Sequence, residues 1–152
     1  VKSPFFLTQA LAPLLKKNAS PKRSSCVINI GSIAGILGNG LDNFSYAASK
    51  SAIHQLTRVL ATELAADNVR VNAIAPGTIE TELVRQTYKQ RLDHAHSDIT
   101  VDESLAQTAS RYPLGRLGQE VDISNMAAFL FSEESGWMTG TVIPVDGGYT
   151  AK

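Results

Sequence analysis

Two rhythms of apolar and polar positions run along the chain. Phe5, Phe6, Gln9, Ala10, Pro13, Leu14 and Lys17 recur with the spacing of one helix face, which predicts a helix over 3–17. Ser3-Pro4 suits its start, as a capping hydroxyl followed by proline at the first helical position. Lys16-Lys17 suit its carboxyl end, and Pro13 is expected to kink it. The polar stretch 18–25 reads as a loop. Cys26-Val27-Ile28-Asn29-Ile30 is a short β-branched run, the pattern of a buried strand. A turn rich in glycine follows, with Gly31, Gly35, Gly38 and Gly40. The helical period returns over 45–67 through Ala48, Ala52, Ile53, Leu56, Val59, Leu60 and Leu64. Val69 to Ile74 predicts a second strand, ended by Pro76-Gly77. Residues 78–118 are polar and mixed, helical in part, and long for a connection in a compact domain, which suggests a functional lid. Val121, Met126, Phe129 and Leu130 form the apolar side of a helix over 119–132. Thr141 to Val145 is a last strand, stopped by Asp146-Gly147-Gly148.

Strands that alternate with helices predict an α/β fold with a parallel sheet and right-handed crossovers. Three strands and about four helices are fewer than a whole doubly wound sheet contains. Composition narrows the picture further. The 152 residues suit one domain, and 43% hydrophobic with 18% charged residues argues against disorder. Fourteen basic and fourteen acidic side chains cancel, so the basic excess of a nucleic-acid binder is missing. A single cysteine cannot form an internal disulfide, so a secreted, stapled fold is not indicated and a cytoplasmic location is expected. No apolar run reaches the roughly 18 residues that span a bilayer. The chain opens on Val1 rather than Met, directly in an apolar segment. Lys2 before that segment and Ala10-Leu11-Ala12 after it also fit a signal peptide. Its continuation through Pro13 to Lys17 reads better as an amphipathic helix of a domain entered partway.

In open parallel sheets, ligands bind beyond the carboxyl ends of the strands. Three places qualify: Gly31-Ser32, Pro76 to Thr81, and Asp146-Gly147-Gly148. Tyr46 and Lys50 are four residues apart at the start of the second helix and share one face. A free phenol, with a pKa near 10, is a poor proton donor at neutral pH; a cation within roughly 4–6 Å favours its phenolate. The pair is therefore a sensible acid–base couple, and equally a surface tyrosine beside a solvated lysine. Ser32 at a strand end suits hydrogen bonding to a carbonyl oxygen, and also suits an ordinary turn serine. His54 lies among apolar neighbours and reads as a packed or interface residue. Cys26 is expected to be buried and inert, and Trp137 to sit in the core or an interface. Asp93-His94-Ala95-His96-Ser97-Asp98 has no cysteine partner and reads as a solvated lid segment, so no metal site is expected. The serine directly after Gly31 is not framed as a hydrolase nucleophile elbow.

Taken in order, Gly31-Ser32-Ile33-Ala34-Gly35, Tyr46-Ala47-Ala48-Ser49-Lys50, Val71 to Gly77, Thr139-Gly140 and Val145-Asp146-Gly147-Gly148 span nearly the whole chain. This sequence of motifs resembles the classical short-chain dehydrogenase/reductase family. Within it the likeness is to 3-oxoacyl-carrier-protein reductases, including the rhamnolipid-pathway type. The resemblance implies the C-terminal part of a Rossmann-like, doubly wound parallel sheet flanked by helices. It implies an NAD(P)-dependent oxidoreductase that reduces a ketone, such as a 3-oxoacyl thioester, to a secondary alcohol. By that resemblance Tyr46 would protonate the alkoxide. Lys50 would hold the nicotinamide ribose and stabilise the Tyr46 phenolate. Ser32 would orient the carbonyl. Pro76 and Gly77 would pass beside the nicotinamide, with Ile79 and Thr81 on its carboxamide. NADP is expected in preference to NAD, and a homodimer or homotetramer in preference to a monomer.

Three elements of the family pattern are not in this sequence: the Gly-rich dinucleotide fingerprint, the Asn-Asn-Ala-Gly motif and the catalytic asparagine ahead of Ser32. The spacing from Ser32 to Tyr46 is one residue longer than in the nearest relatives, with the extra residue expected within 39–44. The sequence thus reads as the C-terminal part of a reductase of about 250 residues. On that reading the isolated segment is weakly active or inert, and the alternative is a non-enzymatic chain that associates with complete subunits.

Overall fold

In the computed structural model, which describes residues 1–38 and 44–152, the chain is organised around one strand buried on both faces. This strand, β2 (Val69–Pro76), is flanked by β1 (Ser25–Ile30) and β3 (Val142–Val145), both parallel to it, in the order β1-β2-β3. Ile30 pairs with Ile74 and Pro76 with Val145, so the carboxyl ends of all three strands meet at one edge of the sheet. Of the expected glycine-rich turn, Gly40 lies outside the described residues, as do residues 39–43 of the 39–44 stretch expected to hold the extra residue.

Every residue from Val69 to Ala75 is buried, and alternate side chains point to opposite faces. Val69 and Val71 pack against Ala61 and Leu64 of α2 (Phe44–Leu64), with Leu15 of α1 (Lys2–Asn18) completing the cluster. The other face carries Arg70 and Asn72, polar residues that must find partners once removed from water. Arg70 donates to Leu130 O at 2.9 Å, Ser132 O at 3.4 Å, Met138 O at 3.3 Å and Ser24 Oγ at 2.7 Å. Two of these carbonyls close the end of α5 (Glu120–Phe131), where a cation also meets the negative pole of the helix. Asn72 donates to Met138 O at 2.8 Å and accepts from the Thr141 N–H at 3.2 Å, which sets the entry to β3. Thus α1 and α2 cover one face of the sheet and α5 the other.

The stretch 78–118 folds around a core of its own. It contains α3 (Glu82–His94) and α4 (Val101–Ala109), and Leu105, Tyr112 and Leu117 are buried among Val84, Tyr88, Val101, Ala109 and Tyr149. Asp93 to Asp98 is exposed, and no metal-binding cluster occurs among the described residues. No described helix is long and apolar enough to cross a membrane.

Two expectations need correction. Helix α1 begins at Lys2 with Val1 at its cap position, so Ser3 lies inside the first turn and caps nothing. The helix runs on through Pro13 to Asn18. Trp137 is not in the core: it follows the turn at Glu133–Ser135 and is fully exposed.

Two stability predictions follow from these contacts. Arg70→Met should destabilise the fold by about 2–3 kcal/mol, because it removes the hydrogen bonds of a charged donor that tie Ser24, the end of α5 and Met138 to β2; urea unfolding measures this. Asp122 pairs with Arg116 at 2.7 Å and accepts the Gln119 N–H at 2.7 Å, closing the start of α5. The Arg116 hydrogen bond first, then that of Gln119, lowers the Asp122 carboxyl to about 2. A carboxyl lowered on folding contributes stability above its unfolded value of about 3.9, and loses that contribution as pH falls through about 2. Urea midpoints should show this acid loss in the wild type, and Asp122→Asn should flatten it over the same interval.

Candidate active site

The carboxyl end of β1 and the start of α2 are joined by side chains reaching from the helix. Lys50 Nζ donates to Ile30 O at 3.0 Å, and Ser51 Oγ donates to Gly35 O at 3.0 Å. One turn further on, His54 Nε2 accepts the Ser32 N–H at 3.4 Å. Residues 30–35 are therefore tied to α2 at three consecutive contact points. The approach is close enough to exclude larger residues from the turn. A Cβ on Gly35 would stand 2.7 Å from the Lys50 carbonyl carbon and from the Ser51 nitrogen. A Cβ on Gly31 would stand 2.7 Å from His54 Cδ2.

Ser32 follows β1 and opens a short 3-10 turn over Ile33–Gly35, in extended backbone geometry. Its Oγ accepts the Ala34 N–H at 3.2 Å, which fixes the oxygen while the hydroxyl proton stays available for donation. Tyr46 lies four residues before Lys50 on α2, and the Lys50 ammonium is 5.6 Å from the centre of the tyrosine ring. Tyr46 is 43% exposed, open to a ligand. Lys50, tied to Ile30, holds its charge between the phenol and the strand end.

At the neighbouring strand end, Gly77 N–H donates to Val145 O at 3.0 Å and Pro76 pairs with Val145. Ile79 forms a parallel bridge to Gly118, made by Thr78 O and the Glu80 N–H. In that pattern the N–H and C=O of Ile79 itself face away from Gly118. Thr81 caps α3 by accepting the Val84 N–H at 3.3 Å. A cleft of about 420 Å³ opens here between Gly77, Ile79, Tyr112, Met126, Phe129 and Asp146. It takes in Gly77 and Ile79 but not Ser32, Tyr46 or Lys50, so the predicted residues fall on two adjoining walls rather than in one enclosed cavity.

Sequence reasoning missed two supporting residues. Tyr112 Oη accepts the Thr78 N–H at 2.8 Å and donates to Thr78 Oγ at 2.8 Å, pinning the 77–79 loop from the far side of the 78–118 segment. His54 is packed, as expected, but it packs against the Ser32 turn rather than a general apolar core. Asn29 was a visible signal, an amide inside an apolar strand; its Nδ2 donates to Thr57 Oγ1 at 2.9 Å and fixes β1 on α2. Cys26 is half-buried, burial raises its thiol pKa, and its Sγ donates to Leu130 O at 3.3 Å.

The sheet is parallel with helices on both faces, and the end of β1 carries Ser32 two residues beyond the carbonyl that Lys50 binds. The family model described as enoyl-(acyl carrier protein) reductase matches residues 1–150. The chain is 38% identical over 149 residues to a rhamnolipid-biosynthesis 3-oxoacyl-[acyl-carrier-protein] reductase of Pseudomonas aeruginosa, covering 98% of this chain and 54% of that protein. It is 39% identical over 150 residues to the 3-oxoacyl-[acyl-carrier-protein] reductase FabG of Thermotoga maritima, covering 97% and 53%. Among solved structures, the Pseudomonas aeruginosa RhlG/NADP active-site complex superposes with a TM-score of 0.84 at 38% identity, over 98% of this chain and 54% of that one. The chain belongs to the short-chain dehydrogenase/reductase family. It spans about half the length of the curated relatives it matches.

The close approach at Gly31 predicts that Gly31→Ala lowers stability by about 2 kcal/mol, read by urea unfolding. Adding His54→Ala should recover part of that loss, so the two changes together cost less than the sum of each alone.

Proposed function

We propose that this chain carries the proton-transfer part of an NAD(P)-dependent ketone reductase site. The observation that carries the reading is the Lys50 ammonium, 5.6 Å from the Tyr46 ring and bonded to Ile30 O at 3.0 Å, two residues before Ser32. In this reading a bound nicotinamide supplies the hydride that reaches the carbonyl carbon. Ser32 donates its hydroxyl proton in a hydrogen bond to the carbonyl oxygen and holds it as charge grows there. Tyr46 gives its phenolic proton to that oxygen, which completes the secondary alcohol. Lys50 stabilises the phenolate left behind.

The residues present suit the nicotinamide half of such a cofactor. The outward N–H and C=O of Ile79 match a carboxamide, and the Thr81 hydroxyl, which accepts from Val84, keeps its proton to donate. Pro76 and Gly77 would form the wall beside the ring. The sequence contains no glycine-rich fingerprint for the pyrophosphate, so this segment alone should hold the cofactor weakly. The preference for NADP over NAD, and a 3-oxoacyl thioester or similar small ketone as substrate, are drawn from the relatives. The 78–118 segment would close over that substrate.

A second reading is a chain that acts by association with complete subunits. It is favoured by the exposed apolar side chains of α1, with Phe6 52%, Leu7 61% and Leu14 57% exposed. Size-exclusion chromatography of this chain alone and mixed with a complete relative separates the two readings.

In the natural polypeptide carrying this segment, Tyr46→Phe should lower kcat for NADPH-dependent ketone reduction by at least about 10²-fold. Retention of wild-type turnover would remove the assignment. The isolated 152-residue segment should show no micromolar NADPH binding in a fluorescence titration.

A further inference from the structure

The imidazole of His54 occupies the space between the two glycines that bracket Ser32. It is 3% exposed, and a Cβ on Gly35 would meet its Cε1 at 2.7 Å, as one on Gly31 would meet its Cδ2. The Ser32 N–H donates to Nε2 at 3.4 Å. An acceptor Nε2 requires the ring proton on Nδ1, so this bond selects one neutral tautomer. Ser32 in turn accepts the Ala34 N–H through Oγ. The order of contacts is therefore His54 to the Ser32 amide, then Ser32 Oγ to the next turn of backbone.

We propose that His54 is a positioning residue, the acceptor that anchors Ser32 and so fixes where its hydroxyl points. The inference rests on the ketone-reductase reading for its effect on turnover, and on the structure alone for the anchor. Burial lowers the His54 pKa and is the largest influence; the Gly35 bond opposes it, while Arg58 and Lys50 of the same helix lower it further. The ring is thereby kept in the form that can accept. A Cβ on either glycine would stand within 2.7 Å of the ring where it now lies.

Two variants separate an acceptor from a space-filler. His54→Gln places an amide oxygen within reach of the Ser32 N–H, and His54→Phe fills the ring volume with no acceptor. In the natural polypeptide, His54→Phe should lower kcat roughly tenfold with the ketone KM changed less than about threefold, and His54→Gln should recover most of the loss. Equal turnover in wild type and His54→Phe, or equal loss in both variants, overturns the proposal. A second measurement does not depend on activity. Nitrogen-15 NMR of the imidazole should show a protonated Nδ1 and an unprotonated Nε2. A protonated Nε2 overturns the anchor. Hydrogen exchange at the Ser32 amide should quicken about tenfold in His54→Phe and stay near wild type in His54→Gln. If the wild type reduces no ketone, the reductase reading fails, and the imidazole and exchange data still decide the anchor.

Discussion

Helix α2 lies against the 31–35 turn closely enough that backbone meets backbone at Gly35 and imidazole meets backbone at Gly31. Much of the chemistry depends on that contact. It brings Lys50 Nζ to Ile30 O and sets Tyr46 one helical turn away, beside the end of β1. Separate the helix from the turn by a methyl group and the bonds of Lys50 to Ile30 and of Ser51 to Gly35 lengthen. The cost of the arrangement is a pair of glycines, which surrender conformational entropy on folding, set against hydrogen bonds made to their flanking backbone.

The sheet serves this contact by holding its strand ends level. β2 is buried on both faces, and its polar residues face α5, where Arg70 ties the carboxyl end of that helix and the approach to β3 into one network. The acceptors are backbone carbonyls already held in place by helix and turn, and these bonds offset part of the cost of burying the charge. The strand ends at Ile30, Pro76 and Val145 then set the relative heights of the Ser32 turn and the 77–79 loop.

The strands and the long helices were legible in the sequence because burial leaves a period: β-branched runs for β1, β2 and β3, and helical spacing for α1, α2 and α5. Ser32, Tyr46 and Lys50 stood out by position at a strand end and a helix start. What could not be read were side chains whose partners are distant backbone carbonyls or amides. Arg70 bonds carbonyls sixty to sixty-eight positions away, Tyr112 bonds Thr78 across thirty-four, and neither contact imposes a spacing on the sequence. His54 looked like one more packed residue, since its partner is an N–H that every non-proline residue carries. Trp137 shows the converse: apolarity alone pointed to the core or an interface, and the short turn before it leaves the side chain outside this chain's own core.

Strand β1 forms one edge of the three-stranded sheet, and its side chains are half-buried at four of six positions. On its outer side the strand presents a row of parallel-type donors and acceptors, flanked by Cys26, Val27 and Ile28, with no proline and no charge between Ser25 and Ile30. Such an edge is a template for any extended segment that comes within reach. A strand added there would continue the parallel sheet on the side of β1 away from β2, next to the chain that leads into the Ser32 turn.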